Sequence, residues 1–377
     1  MIQKTFHNIK LPELGFGALR LPTKTGKLWD DIDRTEAQKV IDYAMEQGIN
    51  FFDTAHAYGA DRDNEKSLGE MLSKYPRSSY YLATKYLNFM GNYYDTFFDE
   101  QLEYLKTDYI DFYMIHSVFD DTYEQYLSNG SIEYLAEQKQ KGRIKYLGFS
   151  SHASVETLKA LTDYCDWDFA MIQLNYFDWL YGRAKDEYEF LVNKGLPIIV
   201  MEPVRGGRLA SLPVKAEAML KAANPDWSIA SWAFRWLRTL PSVQMVLSGM
   251  STIDQVKENS TLFSDAETIL SEKEKKILFD ACKISRENMG VLCTNCLYCV
   301  PECPVNIDIP HILEIYNKAS KQEGEWTFDE LSKVDVQKTP FKCVKCGICE
   351  SRCPQQIGIV KIMAEIADWQ SKTRNDR

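Results

Sequence analysis

The chain has 377 residues, of which 45% are hydrophobic and 26% are charged, and 44 Lys and Arg against 54 Asp and Glu give a net charge of −10. This composition is typical of a folded soluble enzyme of about two domains, and the acidic balance excludes a nucleic-acid binder. The sequence has no apolar run near the roughly 20 residues of a membrane span and no apolar signal core at its start, so we expect a cytoplasmic protein without a membrane span.

The ten cysteines are unevenly placed along the chain. Cys165 and Cys282 are isolated, whereas the other eight lie between Cys293 and Cys353. Clustered cysteines in a large chain without a secretion signal favour metal binding over a disulfide framework. We therefore predict a division near residue 285, with a first domain at 1–270, a connecting helix at 271–290 and a cysteine-rich domain at 291–377.

The first part of the chain alternates apolar runs with segments of helical spacing. Eight such runs follow one another in the order LGFGAL, INFFDT, YYLATK, YIDFYMIH, IKYLGFS, FAMIQLNY, LPIIVMEP and VQMVLSG. Near-continuous apolar strands alternating with helices indicate a parallel sheet covered by helices. Eight units in about 260 residues match an α/β fold of the TIM (β/α)8 barrel type. An open Rossmann sheet is the alternative, but Gly15 and Gly17 supply only G-x-G and not its G-x-G-x-x-G fingerprint.

Four polar residues follow the C-terminal ends of successive strands, where barrel enzymes place their catalytic groups. They are Asp53 at the end of INFFD, Tyr58 five residues later, Lys85 at the end of YYLATK and His116 at the end of YIDFYMIH. Carbonyl reduction needs a general acid, and a free tyrosine with a pKa near 10 is too weak near pH 7. A neighbouring ammonium lowers the tyrosine pKa. We therefore predict Lys85 in this role, held by Asp53, while His116 orients the substrate oxygen.

Two cysteine runs share the pattern C-x2-C-x2-C-x3-C-P of bacterial ferredoxins. Their members are Cys293, Cys296, Cys299 and Cys303 in the first run, and Cys343, Cys346, Cys349 and Cys353 in the second. Zinc needs only paired C-x2-C units, so the third cysteine, the x3 gap and the proline favour two 4Fe-4S clusters over zinc. In two-cluster ferredoxins the fourth cysteine of each run ligates the other cluster, which predicts Cys353 on the first cluster and Cys303 on the second.

The segments around the second cysteine run have helical apolar spacing, as in IDIPHILEIYNKAS and IGIVKIMAEIADWQ. They predict a small, mainly helical ferredoxin-like domain. We expect the two isolated cysteines, Cys165 and Cys282, to be small buried hydrophobic side chains.

Residues 1 to about 265 resemble the aldo-keto reductase family through FFDTAHAYG, ATK and MIH. The whole chain resembles the subset of that family with a C-terminal two-cluster ferredoxin-type domain. The resemblance implies a nicotinamide cofactor, NAD(P)H, and a catalytic tetrad of Asp53, Tyr58, Lys85 and His116. It also implies contacts to the cofactor, from Ser150, Ser151 and Gln173 to the nicotinamide carboxamide and from Asn259 to the adenine.

The chain departs from the family at two places. Met201 stands where the family usually offers an aromatic ring to the nicotinamide. Where many members carry Lys or Arg against the 2′-phosphate of NADP, the residues are Gly249, Met250, Ser251 and Gln255. Because a phosphate without a cationic partner loses its strongest contacts, we expect NADH to be used at least comparably to NADPH. Arg205 and Arg208 remain candidates for the pyrophosphate or the 2′-phosphate, with a solvated loop as the alternative.

The predicted function is the NAD(P)H-dependent reduction of a small aldehyde or ketone, or the reverse oxidation of an alcohol. Nicotinamide transfers two electrons together, whereas each cluster transfers one. Coupling the two therefore needs a one-electron partner protein, a flavoprotein or another cofactor, or else the clusters have a distinct or structural role. The alternative function is an electron-transfer or docking protein whose barrel is a partner-binding scaffold, and the intact tetrad favours the enzyme.

Overall fold

A computed structural model describes residues 1–59, 63–88, 93–322 and 325–375. The chain forms two compact units. The first contains Met1–Val204 and Ala223–Phe279, and the second contains Arg205–Ala222 and Asp280–Arg377. Among the described residues, no helix has the combination of length and hydrophobicity that crossing a membrane requires.

The first unit is built on a closed barrel of eight parallel strands, which confirms the TIM-barrel prediction. Each strand pairs with its neighbours in chain order, and the eighth closes the barrel against the first. In chain order the barrel strands are Leu14–Gly17, Phe51–Asp53, Tyr81–Tyr86, Ile110–Val118, Ile144–Ser151, Phe169–Gln173, Ile198–Met201 and Val243–Ser248. All eight apolar runs of the sequence are therefore barrel strands.

Helices follow the strands and bury one apolar face each against the barrel. Side-chain caps fix several of their starts, because Asp33, Asn175 and Thr252 accept hydrogen bonds from backbone N–H groups of the first turn. The helices of this unit are Arg34–Glu46, Asn64–Leu72, Tyr94–Tyr104, Tyr123–Ser128, Ser131–Gln140, Val155–Tyr164, Tyr176–Tyr181, Ala184–Asn193, Ile229–Leu237 and Ile253–Leu262. The helix Glu272–Asn288 follows and spans the boundary of the two units.

An N-terminal hairpin closes one end of the barrel. Its strands, Gln3–Phe6 and Ile9–Pro12, pair antiparallel. Phe6 and Leu11 are buried in a cluster with residues from the early positions of the barrel strands, including Phe112. Because the hairpin fills the N-terminal end of the barrel, the C-terminal ends of the strands remain available for functional side chains.

The second unit is mainly helical. Its elements are the helices Val214–Ala223, Ile309–Lys318, Ile348–Ser351 and Ile359–Asn375, the short 3-10 helices Asp329–Lys333, Val336–Lys338 and Pro340–Lys342, and the two-stranded sheet Ser320–Gln322 with Glu325–Thr327. Apolar side chains of the two longer C-terminal helices, such as Ile312 and Ile366, form one core with the buried Cys299. The other cysteines near that core are half-buried against it, so the thiols lie at the edge of an apolar interior.

Candidate active site and cysteine centres

A buried ion pair lies at the C-terminal ends of neighbouring barrel strands. Asp53 ends the second strand, and Lys85 lies on the third, which pairs with the second in the sheet. The Lys85 Nζ atom donates hydrogen bonds to both carboxylate oxygens of Asp53, at 2.7 and 2.9 Å, and to the carbonyl oxygen of Thr54 at 2.7 Å. The ammonium is therefore surrounded by oxygen acceptors inside the barrel.

Burial sets the electrostatics of this pair. Because both groups are removed from water, burial lowers the pKa of the Lys85 ammonium and raises the pKa of the Asp53 carboxyl, while their mutual attraction opposes both shifts. Breaking a buried pair of this kind typically costs about 3–5 kcal/mol, since one charge is left without compensation. The Asp53 carboxylate thus stabilises the positive charge of the Lys85 ammonium at a buried position where an unpaired charge would be unfavourable.

Tyr58 and His116 lie beside the ammonium. Lys85 Nζ is 4.9 Å from the centroid of the Tyr58 ring, and the rings of Tyr58 and His116 meet edge to face with their centroids 5.9 Å apart. Burial, the Lys85 charge and His152 hold the pKa of His116 well below its usual range, so its imidazole is neutral. The structure therefore brings together the four residues that the sequence singles out.

A buried carboxylate that the sequence analysis missed supports the strand that carries Lys85. Glu65 is fully buried and accepts hydrogen bonds from Thr84 Oγ1 at 2.5 Å and from Gln101 Nε2 at 2.6 Å. Gln101 Nε2 also donates to the carbonyl oxygen of Lys85 at 3.1 Å, and His56 Nδ1 lies 3.3 Å from the Glu65 carboxylate. Up to 36 residues separate these partners in sequence, so no local motif predicts the hydrogen-bond network.

The residues expected at the nicotinamide carboxamide lie at the ends of the fifth and sixth strands. Ser150 and Ser151 end the fifth strand, which pairs with the strand that ends at Gln173. Ser150 Oγ accepts a hydrogen bond from the Ser117 N–H at 2.8 Å, and Gln173 Nε2 donates to Asp178 Oδ2 at 2.6 Å. Both side chains are thus oriented by the protein on the same end of the barrel as the ion pair.

The segment expected at the adenosine phosphate follows the eighth strand. The Ser251 N–H donates to Gln255 Oε1 at 2.7 Å, so this glutamine stabilises the start of the helix. Asn259 is buried, and its Nδ2 donates to Ser248 Oγ at 3.2 Å, while Met250 is fully buried. None of the residues expected at the phosphate, Gly249, Met250, Ser251 and Gln255, is a cation.

Arg20 supplies a basic side chain beside this segment, which the sequence analysis missed. Carbon atoms of the Arg20 side chain lie 3.1–3.3 Å from the position that a Cβ on Gly249 would occupy. The Arg20 carbonyl oxygen also accepts a hydrogen bond from Ser251 Oγ at 2.7 Å. Glycine at 249 lets the arginine stem lie against the backbone. Because Arg20 and Ser251 are 231 residues apart, the pattern around either residue does not predict the contact.

Arg205 and Arg208, expected near the cofactor phosphates, instead contact the first cysteine run within the second unit. Arg208 Nε donates to the carbonyl oxygen of Cys293 at 2.9 Å, and Arg205 Nη1 donates to that of Leu292 at 3.5 Å. Arg205 is buried and has a left-handed backbone at φ +51°. The two guanidiniums therefore lie near cysteine ligands, and a role at the nicotinamide cofactor stays a prediction.

The cysteines group as the crossed pattern predicts. Four of them line one pocket, namely Cys293, Cys296, Cys299 and Cys353. Burial and the thiols of Cys296, Cys353, Cys293 and Cys349 raise the pKa of Cys299. Burial, Glu350 and the thiols of Cys343, Cys346 and Cys303 raise the pKa of Cys349 to about 11. Each group combines three cysteines of one run with the fourth of the other, as the crossed assignment requires.

The two cysteine runs of the second unit share one local feature. The N–H of Ile307 donates to Cys303 Sγ at 3.4 Å, and the N–H of Ile357 likewise bonds the sulfur of Cys353. In each case the donor lies four residues after the last cysteine of its run, beyond the C-P step. Hydrogen bonds to the sulfurs of cluster ligands stabilise negative charge on a cluster, so this turn suits the predicted role of the cysteines.

The two isolated cysteines differ. Cys282 is fully buried, as expected, whereas Cys165 is only partly buried, which corrects the sequence expectation. Burial raises the pKa of Cys165 to about 11, so this side chain remains a neutral thiol.

Comparison with known proteins agrees with both units. Residues 13–278 match the model of the aldo/keto reductase family, and residues 292–358 match that of a 4Fe-4S dicluster domain. The uncharacterized oxidoreductase YqkF of Bacillus subtilis is 27% identical over 67% of this chain and 87% of its own length. The L-galactose dehydrogenase of Arabidopsis thaliana is 27% identical over 71% of this chain and 88% of its own.

Solved structures show the same likeness. The holo form of aldo-keto reductase AKR11C1 from Bacillus halodurans superposes with a TM-score of 0.62 at 26% identity, covering 74% of this chain and 96% of that one. The buried Lys85, its neighbours at the barrel end and the match over residues 13–278 lead to one conclusion: the chain belongs to the aldo/keto reductase family.

Proposed function

We propose that this enzyme reduces a small aldehyde or ketone with NADH or NADPH, or oxidises the corresponding alcohol, and that its second unit holds two 4Fe-4S clusters that carry single electrons. The observation that carries the proposal is the Lys85 ammonium, buried against Asp53 and next to Tyr58 and His116. A partner-binding scaffold has no need for a buried charge that is costly to maintain, which favours the enzyme over the docking protein.

The residues present suit both kinds of cofactor. Ser150, Ser151 and Gln173 would hold a nicotinamide carboxamide, and Arg20 and Asn259 flank the segment for the adenosine phosphate. The two crossed groups of four thiols would hold the clusters. When bound, nicotinamide supplies or accepts a hydride, and the clusters supply or accept one electron each.

The side chains at the barrel end move and stabilise the proton. Tyr58 donates its phenolic proton to the carbonyl oxygen as negative charge develops there. The Lys85 ammonium then stabilises the resulting phenolate, and Asp53 keeps that ammonium charged. In the oxidation of an alcohol, the phenolate takes the proton back.

His116 orients the substrate. Because its imidazole is neutral, it donates a hydrogen bond to the substrate oxygen without adding a second positive charge beside Lys85. The oxygen is thereby held between His116 and Tyr58, whose rings are in contact. His116 lies on a barrel strand and Tyr58 lies five residues after one, so the barrel places both groups at the same end.

Tyr58→Phe tests the proposed reaction. We expect carbonyl reduction to fall about 10²- to 10⁴-fold, because the general acid is removed, while NADH binding measured by fluorescence stays near wild type. Lys85→Met should reduce the rate similarly, and the exposed Tyr93 offers a matched control in Tyr93→Phe. Full activity of Tyr58→Phe would show that another group protonates the oxygen.

Arg20→Gln tests the cofactor segment. We expect NADH to bind at least comparably to NADPH in the wild type, and the substitution to weaken both by about tenfold or more, since a charge-assisted contact contributes about 1.5–3 kcal/mol. Fluorescence titration of both reduced cofactors measures this, with the exposed Lys273→Gln as control. A hundredfold preference for NADPH that Arg20→Gln abolishes would contradict the NADH expectation and make Arg20 a 2′-phosphate clamp.

Serine substitutions test the crossed ligation. Anaerobically purified protein should contain about eight iron and eight sulfide per chain, because eight thiolates at this spacing ligate two cubane clusters. Cys353→Ser should remove the same electron paramagnetic resonance (EPR) signal as Cys296→Ser, and Cys346→Ser should remove the other, with Cys165→Ser as control. Zinc without labile sulfide, or the same signal lost in Cys353→Ser and Cys346→Ser, would refute the assignment.

Arg208→Gln tests the role of the arginine at the first cysteine run. A nearby positive charge stabilises the reduced, more negative cluster, so its removal should lower the potential of that cluster by on the order of 50 mV, close to the roughly 59 mV of a tenfold change. EPR-monitored redox titration measures the potential of each cluster. The control is Lys215→Gln, which removes an exposed lysine from the same segment, Arg205–Ala222. Equal shifts of both clusters would mean that the effect is not local.

A further inference from the structure

The two cysteine runs have the same spacing but different surroundings. Thr294 and Val344 each follow the first cysteine of their run, and Thr294 is 4% exposed whereas Val344 is 60% exposed. Two residues after the second cysteine, Tyr298 is half-buried and Ile348 is exposed. The second run therefore exposes Val344 and Ile348, whereas Thr294 and Tyr298 at the same positions of the first run are buried or half-buried.

This exposed surface is apolar at its centre. We define the Cys346 face as the exposed residues of the second run and its approach, which are Phe341, Lys342, Val344, Lys345, Cys346 and Ile348. Of the ten exposed large hydrophobic side chains in the described part of the chain, four lie between Val336 and Ile348, and three of these are on the face. The exposed ligand Cys346 lies among them.

The face is also basic, although the chain as a whole is acidic. Residues 333–352 contain five Lys or Arg and two Asp or Glu, whereas the net charge of the chain is −10. Lys338, Lys342 and Lys345 are exposed and form no ion pair with any residue that the structure describes. The Glu350 carboxylate accepts a hydrogen bond from the Val360 N–H at 2.8 Å, so it is engaged at the start of the last helix.

We propose that the Cys346 face is the docking surface for an acidic one-electron carrier protein. The inference rests on the proposed role of the clusters as electron carriers and adds the place and the chemistry of the partner. A small apolar patch within a basic rim is suited to a transient complex, because apolar contact brings the redox centres close while opposite charges raise the association rate.

The charges of the Cys346 face favour an acidic partner. Unpaired lysines attract an acidic protein and repel a basic one, and the net negative charge of the chain disfavours the approach of an acidic partner at acidic parts of the surface. Because the predicted ligand Cys346 is exposed on this face, the second cluster would be the one closest to the docked partner. One electron leaves the reduced carrier and one enters the cluster, and no bond is formed or broken. A flavin carrier suits the enzyme best, since flavin exchanges electrons singly or in pairs.

The test uses the anaerobically purified full-length holoprotein and an acidic flavodoxin as the probe. Calorimetry at low ionic strength gives the dissociation constant, and stopped-flow absorbance gives the rate at which reduced flavodoxin reduces the clusters. We expect binding that weakens as salt is added. The double variant Lys342→Glu, Lys345→Glu should lose at least tenfold in both affinity and association rate.

Matched controls separate docking from damage. The double variant Lys215→Glu, Lys273→Glu changes the net charge equally at two exposed lysines outside the face and should bind like the wild type. Iron content, EPR signals and reduction by dithionite should be unchanged in both variants, which shows that the clusters are intact. As a gain of function, the glutamate variant of the face should bind basic cytochrome c more tightly than the wild type does.

The apolar part of the face has its own variant. Val344→Ser should weaken flavodoxin binding without changing its dependence on salt, because it removes apolar contact and no charge. Equal binding by the two glutamate double variants would overturn the proposal, as would salt-independent binding. A wild-type dimer in sedimentation that Val344→Ser dissociates would also overturn it, because the face would then bind a second copy of this chain.

The outcome is independent of the barrel chemistry. NADH-dependent carbonyl reduction is measured on the same samples and does not involve the two lysines. Loss of flavodoxin binding in the face variant with carbonyl reduction intact would support docking. Absence of flavodoxin binding in the wild type would refute docking even if the reductase activity is present, whereas clusters that dithionite cannot reduce would refute the electron-carrier role itself.

Discussion

The hydrogen-bonded pair of Lys85 and Asp53 is the constraint on which the active end of the barrel depends. An ammonium inside an apolar barrel is stable only if oxygen atoms surround it, and the carboxylate of Asp53 and the carbonyl of Thr54 supply them from the neighbouring strand. The closed sheet fixes the register of these two strands, so the charge is positioned by the fold. Burial, together with this charge, lowers the pKa of His116, and the same charge faces the Tyr58 ring, which suits both groups to the roles proposed for them.

An equivalent constraint in the second unit is the exchange of the fourth cysteine between runs. Cys353 joins the group of Cys293, Cys296 and Cys299, so residues about 54 to 60 positions apart in sequence lie at one predicted cluster site. The apolar core of Ile312, Ile366 and their neighbours brings the two halves together around the thiols. Cluster ligation and folding of this unit are therefore expected to be coupled, because the ligands of each cluster belong to both halves.

The sequence predicted what depends on local pattern. The eight barrel strands follow from apolar runs, and the tetrad follows from polar residues at strand ends. What it did not predict depends on contacts between distant segments. Arg20 meets Gly249 only after the barrel closes, and Glu65 meets Gln101 through the packing of helices on strands. Arg205 and Arg208 are candidates for the cofactor phosphates from sequence, but their contacts to the first cysteine run arise from a chain segment that belongs to the second compact unit. Only the three-dimensional contacts show this, since no composition change marks the segment.

The repeated cysteine motif shows how one spacing can serve two tasks. The spacing predicts that each run ligates a cluster, whereas the residues between the cysteines determine the surroundings of that cluster. In the first run Thr294 is buried and Tyr298 is half-buried, and a buried arginine and a second guanidinium lie at its start. In the second run Val344, Lys345 and Ile348 are exposed. Positive charge near the first group favours its reduced state, while exposure of the second favours exchange with a partner. In the electron-carrier role proposed for the clusters, these two environments would direct an electron that enters at the surface toward the first cluster, and the side chains responsible are ones that the ligation pattern leaves unrestricted.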